Sequence, residues 1–155
     1  MPQTWFELAS DARKAASRLV SENYRSCLSR AYYAAYSKVT FELAGMAGIT
    51  FPAGDEGPKH PGRTGTGGIR RLIETHMTRL EDGRRMKLSE LVGRLYTLRI
   101  VADYRPSMDV DPRDAREAVS IMKILFSRVF DCFGRGDADH AHNTTASHRH
   151  RQQGD

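Results

Sequence analysis

The chain has 155 residues, of which 39% are hydrophobic and 28% are charged, and its formal net charge is +5. This length suits one domain with a buried core. No apolar run approaches the roughly 20 residues of a membrane-spanning helix. Residues 1–4 lead straight into an amphipathic segment, so we expect no secretory signal and a cytoplasmic protein.

The cysteines give no sign of a disulfide framework or a metal site. Cys27 and Cys132 are the only two. Both lie in apolar patterns typical of helices, and their spacing fits no metal-binding motif. We therefore expect two reduced, buried thiols.

The excess positive charge falls in one part of the chain. Residues 59–87, here called the basic segment, contain eight Lys and Arg against three Asp and Glu, which accounts for the whole net charge. A local basic patch is typical of a nucleic-acid or phosphate partner. A solvated helix face is the equal alternative, because no aromatic residues lie between the arginines. The basic residues are Lys59, Arg63, Arg70, Arg71, Arg79, Arg84, Arg85 and Lys87.

Two amphipathic helices are predicted first. Thr4 and Glu7 have the spacing of a capping box, and apolar residues recur at helical spacing from there to about Ser21. Asn23 is a suitable N-cap for a second, longer helix. Gly45 and Gly48 end that helix.

A loop and two further helices are predicted next. Residues 48–68 are too rich in Gly and Pro for regular structure. A third helix is predicted over about 68–80, with His76 on its inner side. Asp82 and Gly83 favour a turn, and a fourth helix follows over about 87–104.

The last helix has a clear start. Asp111 is its predicted N-cap, Pro112 occupies the first helical position, and the apolar pattern continues to about Phe133. Residues 135–155 lose the apolar pattern, so we predict a helical domain over 1–134 and a disordered, His-rich tail. Two His-x-His pairs in that tail bind metal weakly at best, and we expect no metal site.

The whole pattern predicts an all-α protein. No stretch alternates like a strand over more than a few residues. We expect an antiparallel up-and-down bundle of four to five helices.

Two segments resemble the HEPN-domain family. Residues 23–36, NYRSCLSRAYYAAY, are similar to the family's second helix, and residues 95–106, LYTLRIVADYRP, to its later signature helix. Residues 111–129 are similar to its closing helix, so the resemblance covers roughly residues 4–133. It implies a small HEPN-like bundle that forms a homodimer.

The resemblance also implies a function. Members occur beside minimal nucleotidyltransferases in toxin–antitoxin pairs, and many are metal-independent RNases that need no cofactor. Their catalytic signature is an arginine followed four to six residues later by a histidine. Arg99 matches the arginine, but Ala102-Asp103-Tyr104 stands where the histidine is expected. The sequence is thus similar to the less characterised branch of the family.

Arg99, Asp103 and Tyr104 are the first candidate catalytic residues. Arg99 and Asp103 are four residues apart, so they form either an ordinary intrahelical ion pair or a phosphate site in which Asp103 orients the guanidinium. Tyr104 is a poor general base at neutral pH. Its hydroxyl can donate a hydrogen bond to phosphate, and the resemblance suggests that it receives a nucleotidyl group from a partner.

Arg30 joins them as a candidate, with Tyr33 as a nucleic-acid contact. We expect both to face a polar cleft, while Tyr32 and Tyr36 pack in the core. The alternative is that the tyrosines all pack in the core and Arg30 pairs with a buried carboxylate such as Asp103.

The remaining candidates belong to the basic segment. His60 lies in the flexible loop and could swing toward Arg99 to supply the missing imidazole. The alternative is a solvent-exposed loop histidine. Lys59, Arg63, Arg70 and Arg71 are the predicted basic contacts to nucleic acid.

Two hypotheses follow. The first is a HEPN-like module that binds RNA or nucleotide phosphate, as the toxin of a pair with a nucleotidyltransferase antitoxin, with metal-independent RNA cleavage as its activity. The second is a non-catalytic dimerisation or partner-binding module, which the missing histidine favours.

Overall fold

The computed structural model describes residues 3–45, 49, 57–61, 68–78 and 80–129, with side chains described as far as residue 127. Within these ranges the chain is all-α, as predicted, with five α-helices and no strand. Arg63, Arg79, Cys132, most of the predicted loop 48–68, the predicted end of the last helix after residue 129 and the His-rich tail lie outside the described residues.

Helix α1 spans Trp5–Leu19 and helix α2 spans Tyr24–Ala44. The predicted capping box is present: the Glu7 amide donates to Thr4 Oγ1 at 3.2 Å, and the Thr4 amide donates to Glu7 Oε2 at 2.8 Å. The Ser26 amide donates to Asn23 Oδ1 at 3.0 Å. Both starts were predictable because each depends on residues only three positions apart.

Helix α3 spans Ile69–His76 and is shorter than predicted. Ile69, Ile73 and Met77 take the buried positions, so His76 lies on the exposed side and the prediction of an inward His76 was wrong. The Ile69 amide donates to the Lys59 carbonyl at 2.8 Å, which ties the segment 57–61 to the start of this helix.

Helix α4 spans Asp82–Tyr104, so the predicted turn at Asp82-Gly83 was wrong. The Glu81 carbonyl accepts from the amides of Arg84 and Arg85, and the Asp82 carboxylate binds the Arg85 side chain. An acidic residue in the first turn suits the positive end of a helix. These contacts offset the low helix propensity of the glycine.

Helix α5 spans Pro112–Ile124, and a π-helical turn over Leu125–Val129 follows it. The predicted N-cap is confirmed: Asp111 Oδ1 accepts from the amides of Arg113 at 2.7 Å and Asp114 at 3.1 Å. The sequence pattern predicted an uninterrupted α-helix here and gave no sign of the wider turn.

The helices pack as antiparallel neighbours. Trp5 at the start of α1 meets Tyr36 late in α2, and Cys27 early in α2 donates to the Ala16 carbonyl late in α1. Arg25 at the start of α2 reaches the end of α4. The core lies between these helices, α3 and α5, and burial of each Leu or Ile side chain contributes about 1.5–3 kcal/mol.

Helix α1 packs closely because its inner face is made of small residues, Ala9, Ala12 and Ala16. Cys27 is buried beneath it as a free thiol, as predicted, and burial raises its pKa to about 11. None of the described helices is long and apolar enough to cross a bilayer.

Candidate functional site

The arginine–tyrosine motif of α2 divides between a buried face and a neighbouring, more exposed face of the helix. Tyr32 and Tyr36 are buried, as predicted, because they lie four apart on the face that packs against the other helices. Tyr33 is half-buried and Arg30 is exposed. The prediction that this second pair faces a cleft is confirmed by the groove described below.

Arg99 is buried on α4 with only 8% of its surface exposed. Its Nε donates to Asp103 Oδ2 at 3.0 Å, and its Nη2 donates to the Tyr104 hydroxyl at 3.3 Å. Its Cζ lies 5.5, 5.0 and 5.6 Å from the ring centroids of Tyr32, Tyr33 and Tyr104. The guanidinium therefore contacts a carboxylate, a hydroxyl and three aromatic rings, whereas an ordinary intrahelical ion pair provides the carboxylate alone.

Asp103 links α4 to α2. Besides the bond from Arg99, its Oδ2 accepts from Ser29 Oγ at 3.2 Å. Arg30 forms no ion pair within the described part of the chain, so the alternative pairing of Arg30 with Asp103 was wrong. The carboxylate is satisfied by Arg99 and Ser29, which leaves the Arg30 guanidinium available at the surface.

Arg25 is a site residue that the sequence analysis missed. Its Nη1 donates to the carbonyls of Val101 at 3.1 Å and Ala102 at 3.0 Å, and its guanidinium also reaches those of Arg105, Pro106 and Met108. The last carbonyls of a helix lack intrahelical partners and attract cations. Arg25 thus fixes the end of α4 that carries Tyr104. The sequence contained one indication of this role: Arg25 lies four positions before Ser29, which places both on the same face of α2.

A groove of about 590 Å³, here called the α2–α4 groove, lies over these residues. Arg30, Tyr33, Ser26 and Ser29 of α2 form one wall, and Ala102, Asp103 and Tyr104 of α4 the other, with Arg25 at one end. The structure thus brings together all four candidate catalytic residues, with Arg99 in the wall behind Tyr33 and Tyr104.

His60 lies against the tyrosine cluster. Its Nδ1 is 2.6 Å from the Tyr32 hydroxyl, so one of them donates to the other, and its ring stacks on Tyr36 at a centroid distance of 4.6 Å. The side chain is half-buried, so the alternative of a solvent-exposed loop histidine was wrong. Arg99 also lies over Tyr32, so the imidazole and the guanidinium border the same ring.

A second groove of about 630 Å³, here called the α1–α2 groove, contains His60. Its α1 wall includes Trp5, which meets Tyr36 edge-on at 6.0 Å. Arg30 and Tyr33 line this groove as well as the first, so they form the wall between the two. Trp5 was not predicted as a site residue, because its proximity to α2 depends on the packing of two helices.

The lysines and arginines of the basic segment that the structure describes line neither groove. The Arg70 Nε donates to Ser89 Oγ at 3.0 Å, and Ser89 Oγ donates to Glu74 Oε1 at 2.5 Å, so Arg70 joins α3 to α4. Ser89 precedes Asp103 by fourteen positions, or roughly 20 Å of helix. Arg71 and Lys59 are exposed but line neither groove, whereas Arg63 lies outside the described residues.

The resolved pKa shifts in this cluster all preserve the ordinary charge states at neutral pH. Burial raises the pKa of Tyr32, and it raises that of Tyr36 to about 12. Burial opposes the charged form of Arg99, but the hydrogen bond to Asp103 and the nearby tyrosine hydroxyls outweigh it, so the pKa of Arg99 rises. These tyrosines therefore stay neutral and Arg99 stays charged, which suits binding better than proton transfer.

No family model, no curated protein and no solved structure matches the chain. In the described part of the chain, no three His, Cys, Asp or Glu side chains are grouped as metal ligands. The HEPN resemblance thus rests on the sequence segments alone.

Proposed function

We propose that this chain is a HEPN-like module that binds RNA or nucleotide phosphate in the α2–α4 groove. The observation that carries the proposal is Arg30, an exposed guanidinium without an ion-pair partner in the described chain, on the wall of a groove that also offers hydroxyl groups. Guanidinium groups bind phosphate oxygens with good geometry and strength. Tyr104 can add a hydrogen bond to the same anion, because its hydroxyl oxygen accepts from Arg99 and its hydrogen can still donate.

The nearby carboxylate does not oppose this proposal. Asp103 accepts hydrogen bonds from both Arg99 and Ser29, and the Arg99 charge compensates its own. Tyr104 is 63% exposed and adds an aromatic ring on which a base can stack. A cation, a hydroxyl group and an exposed aromatic ring are the groups with which proteins bind single-stranded nucleic acids.

Arg99 supports the groove in this proposal and does not bind a free phosphate. Two of its five N–H donors serve Asp103 and Tyr104, and the side chain is buried against three aromatic rings, so an anion in the groove reaches the exposed Arg30 more readily. RNA cleavage without a metal would need a base to take the proton of the 2′-hydroxyl as it attacks phosphorus and the 5′-oxygen leaves. Among the described histidines His60 is the nearest to the site, and its Nδ1 is engaged with Tyr32. The geometry therefore favours binding over cleavage.

A binding measurement tests the proposal. Fluorescence anisotropy of a labelled single-stranded RNA in EDTA should show salt-sensitive binding. Arg30→Ala should weaken binding about tenfold or more and lower the salt slope by about 1. Arg116→Ala is the matched control, because Arg116 is an exposed arginine of α5 outside both grooves. Absence of binding at low salt would contradict the proposal, and cyclic-phosphate ends would identify an RNase.

We include the toxin–antitoxin pairing in the proposal. Its support is the accessible Tyr104, whose hydroxyl lies 3.3 Å from Arg99 Nη2 beside a positive charge suited to an incoming phosphate. A nucleotidyltransferase partner would join the Tyr104 oxygen to the α-phosphate of a nucleoside triphosphate and release pyrophosphate. Mass spectrometry after co-expression should find the added nucleotide on Tyr104 and none in Tyr104→Phe. An unmodified Tyr104 after co-expression would contradict the proposed pairing with a nucleotidyltransferase.

A second candidate function is that of a partner-binding or homodimerisation module. Phe6 and Phe41 are 53% and 41% exposed, with ring centroids 5.5 Å apart, and they form an aromatic surface across α1 and α2. Such surfaces are typical of protein interfaces. Sedimentation analysis tests this candidate: Phe41→Ser should dissociate an assembly that Met86→Ser, an exposed control on α4, leaves intact. A wild-type monomer at every concentration would exclude homodimerisation.

A further inference from the structure

The two grooves meet at one wall, and the residues of that wall are chemically distinctive. Arg30 and Tyr33 line both the α2–α4 groove and the α1–α2 groove. Arg30 is exposed, so a ligand phosphate can approach it from either side. A ligand that extends past this wall would therefore place neighbouring chemical groups in different grooves.

The α1–α2 groove has the character of a base site. Its α1 side offers the Trp5 indole and the apolar side chains of Leu8 and Ala15, whereas Asp11 and His60 supply polar groups at its edges. Indole faces stack well on nucleobases, and polar groups can bind their edges. The α2–α4 groove differs, because serine hydroxyls and charged groups dominate it.

We propose that a single-stranded RNA crosses this wall, with a phosphate on Arg30 and an adjacent base in the α1–α2 groove against Trp5. This inference rests on the proposed RNA-binding function and adds a base subsite to it. A mononucleotide can occupy one groove only, so a strand gains contacts that a mononucleotide lacks. Each stacked base strengthens binding by roughly fivefold to 150-fold.

Trp5 gives this proposal its own readout, because it is the only tryptophan in the sequence. The experiment titrates the full chain with octauridylate and, separately, with uridine monophosphate. Octauridylate should quench the Trp5 fluorescence with the same midpoint as its binding measured by anisotropy. Uridine monophosphate should bind more weakly by at least fivefold.

A variant that narrows the groove completes the test. Ala15→Met fills space on the α1 wall of the α1–α2 groove, so it should weaken octauridylate binding at least fivefold while reducing the quenching. Ala44→Met is the matched control, because Ala44 is exposed near the end of α2 and lines neither groove. Circular dichroism checks that both variants fold, and the Trp5 titration of the wild type decides the question if Ala15→Met does not.

The possible failures are distinguishable. No binding of octauridylate would overturn both this inference and the proposed function. Binding that depends on Arg30 but leaves Trp5 fluorescence and Ala15→Met unaffected would overturn the base subsite alone. Equal affinity and equal quenching by uridine monophosphate would show that a single nucleotide fills the site, and the crossing strand would be refuted.

Discussion

Removal of the Arg99 guanidinium should lower the free energy of unfolding more than removal of any other charged group in the described bundle. Arg99→Met keeps most of the aliphatic volume and deletes the donors to Asp103 and Tyr104. A hydrogen bond to a charged group contributes about 1.5–3 kcal/mol, and each cation–π contact about 0.5–1 kcal/mol or more. The rings of Tyr32, Tyr33 and Tyr104 would lose their shared cation.

Solvent limits this cost. Breaking one side of a fully buried ion pair costs about 3–5 kcal/mol, but the Asp103 side chain is 29% exposed and keeps its bond from Ser29. We therefore expect a loss of about 2–4 kcal/mol from a total stability of about 5–15 kcal/mol. That corresponds to a fall in Tm of roughly 10 °C.

A double-mutant cycle in urea tests this reasoning. Arg99→Met, Asp103→Asn and the double variant should give a coupling energy above about 1 kcal/mol. The control is Arg94–Glu117, an ion pair whose side chains are 49% and 40% exposed. Its cycle with Arg94→Met and Glu117→Gln should give about 0.2–1 kcal/mol. A coupling for Arg99 no larger than that of the exposed pair would refute the claim that burial strengthens this contact.

Two further predictions concern the ends of helices. Arg25→Leu removes donors to five carbonyl oxygens, so urea denaturation should show a loss of about 2–3 kcal/mol, against about 0.5 kcal/mol or less for Arg116→Leu; equal losses would contradict the capping role. The backbone hydrogen bonds from Asp114 and Arg113 hold the pKa of Asp111 below its ordinary value. The stabilisation by this carboxylate is therefore full above about pH 4 and is lost as pH falls through the lowered pKa. The Tm of the wild type should exceed that of Asp111→Asn at neutral pH, and this difference should shrink as the pH falls below about 4. A difference that does not change with pH would contradict the role of the Asp111 carboxylate as the N-cap.

The starts of helices were predictable from the sequence where they depend on neighbours. Thr4, Asn23 and Asp111 cap their helices by accepting hydrogen bonds from amides two or three positions further along the chain. The start of α4 was missed because Asp82-Gly83 favours both a turn and a first helical turn. The choice between the two depends on the capping carbonyl of Glu81 and the bond from Arg85.

The site was predictable only within single helices. The four-residue spacing placed Arg99 beside Asp103 and separated Tyr32 from Tyr33 correctly. The contacts of Arg25 with the end of α4 span 76 to 83 positions, and no local pattern encodes them. The bond between His60 and Tyr32 likewise depends on how the segment 57–61 folds back on α2.

The backbone bond from Ile69 to Lys59 makes one amide a reporter for the neighbouring histidine. Ile69 is the first residue of α3, so its N–H has no acceptor within the helix. The Lys59 carbonyl, one residue before His60, is its acceptor. Deuterium uptake at this single position therefore measures how often the imidazole-bearing segment separates from the bundle, independently of whether any ligand is ever identified.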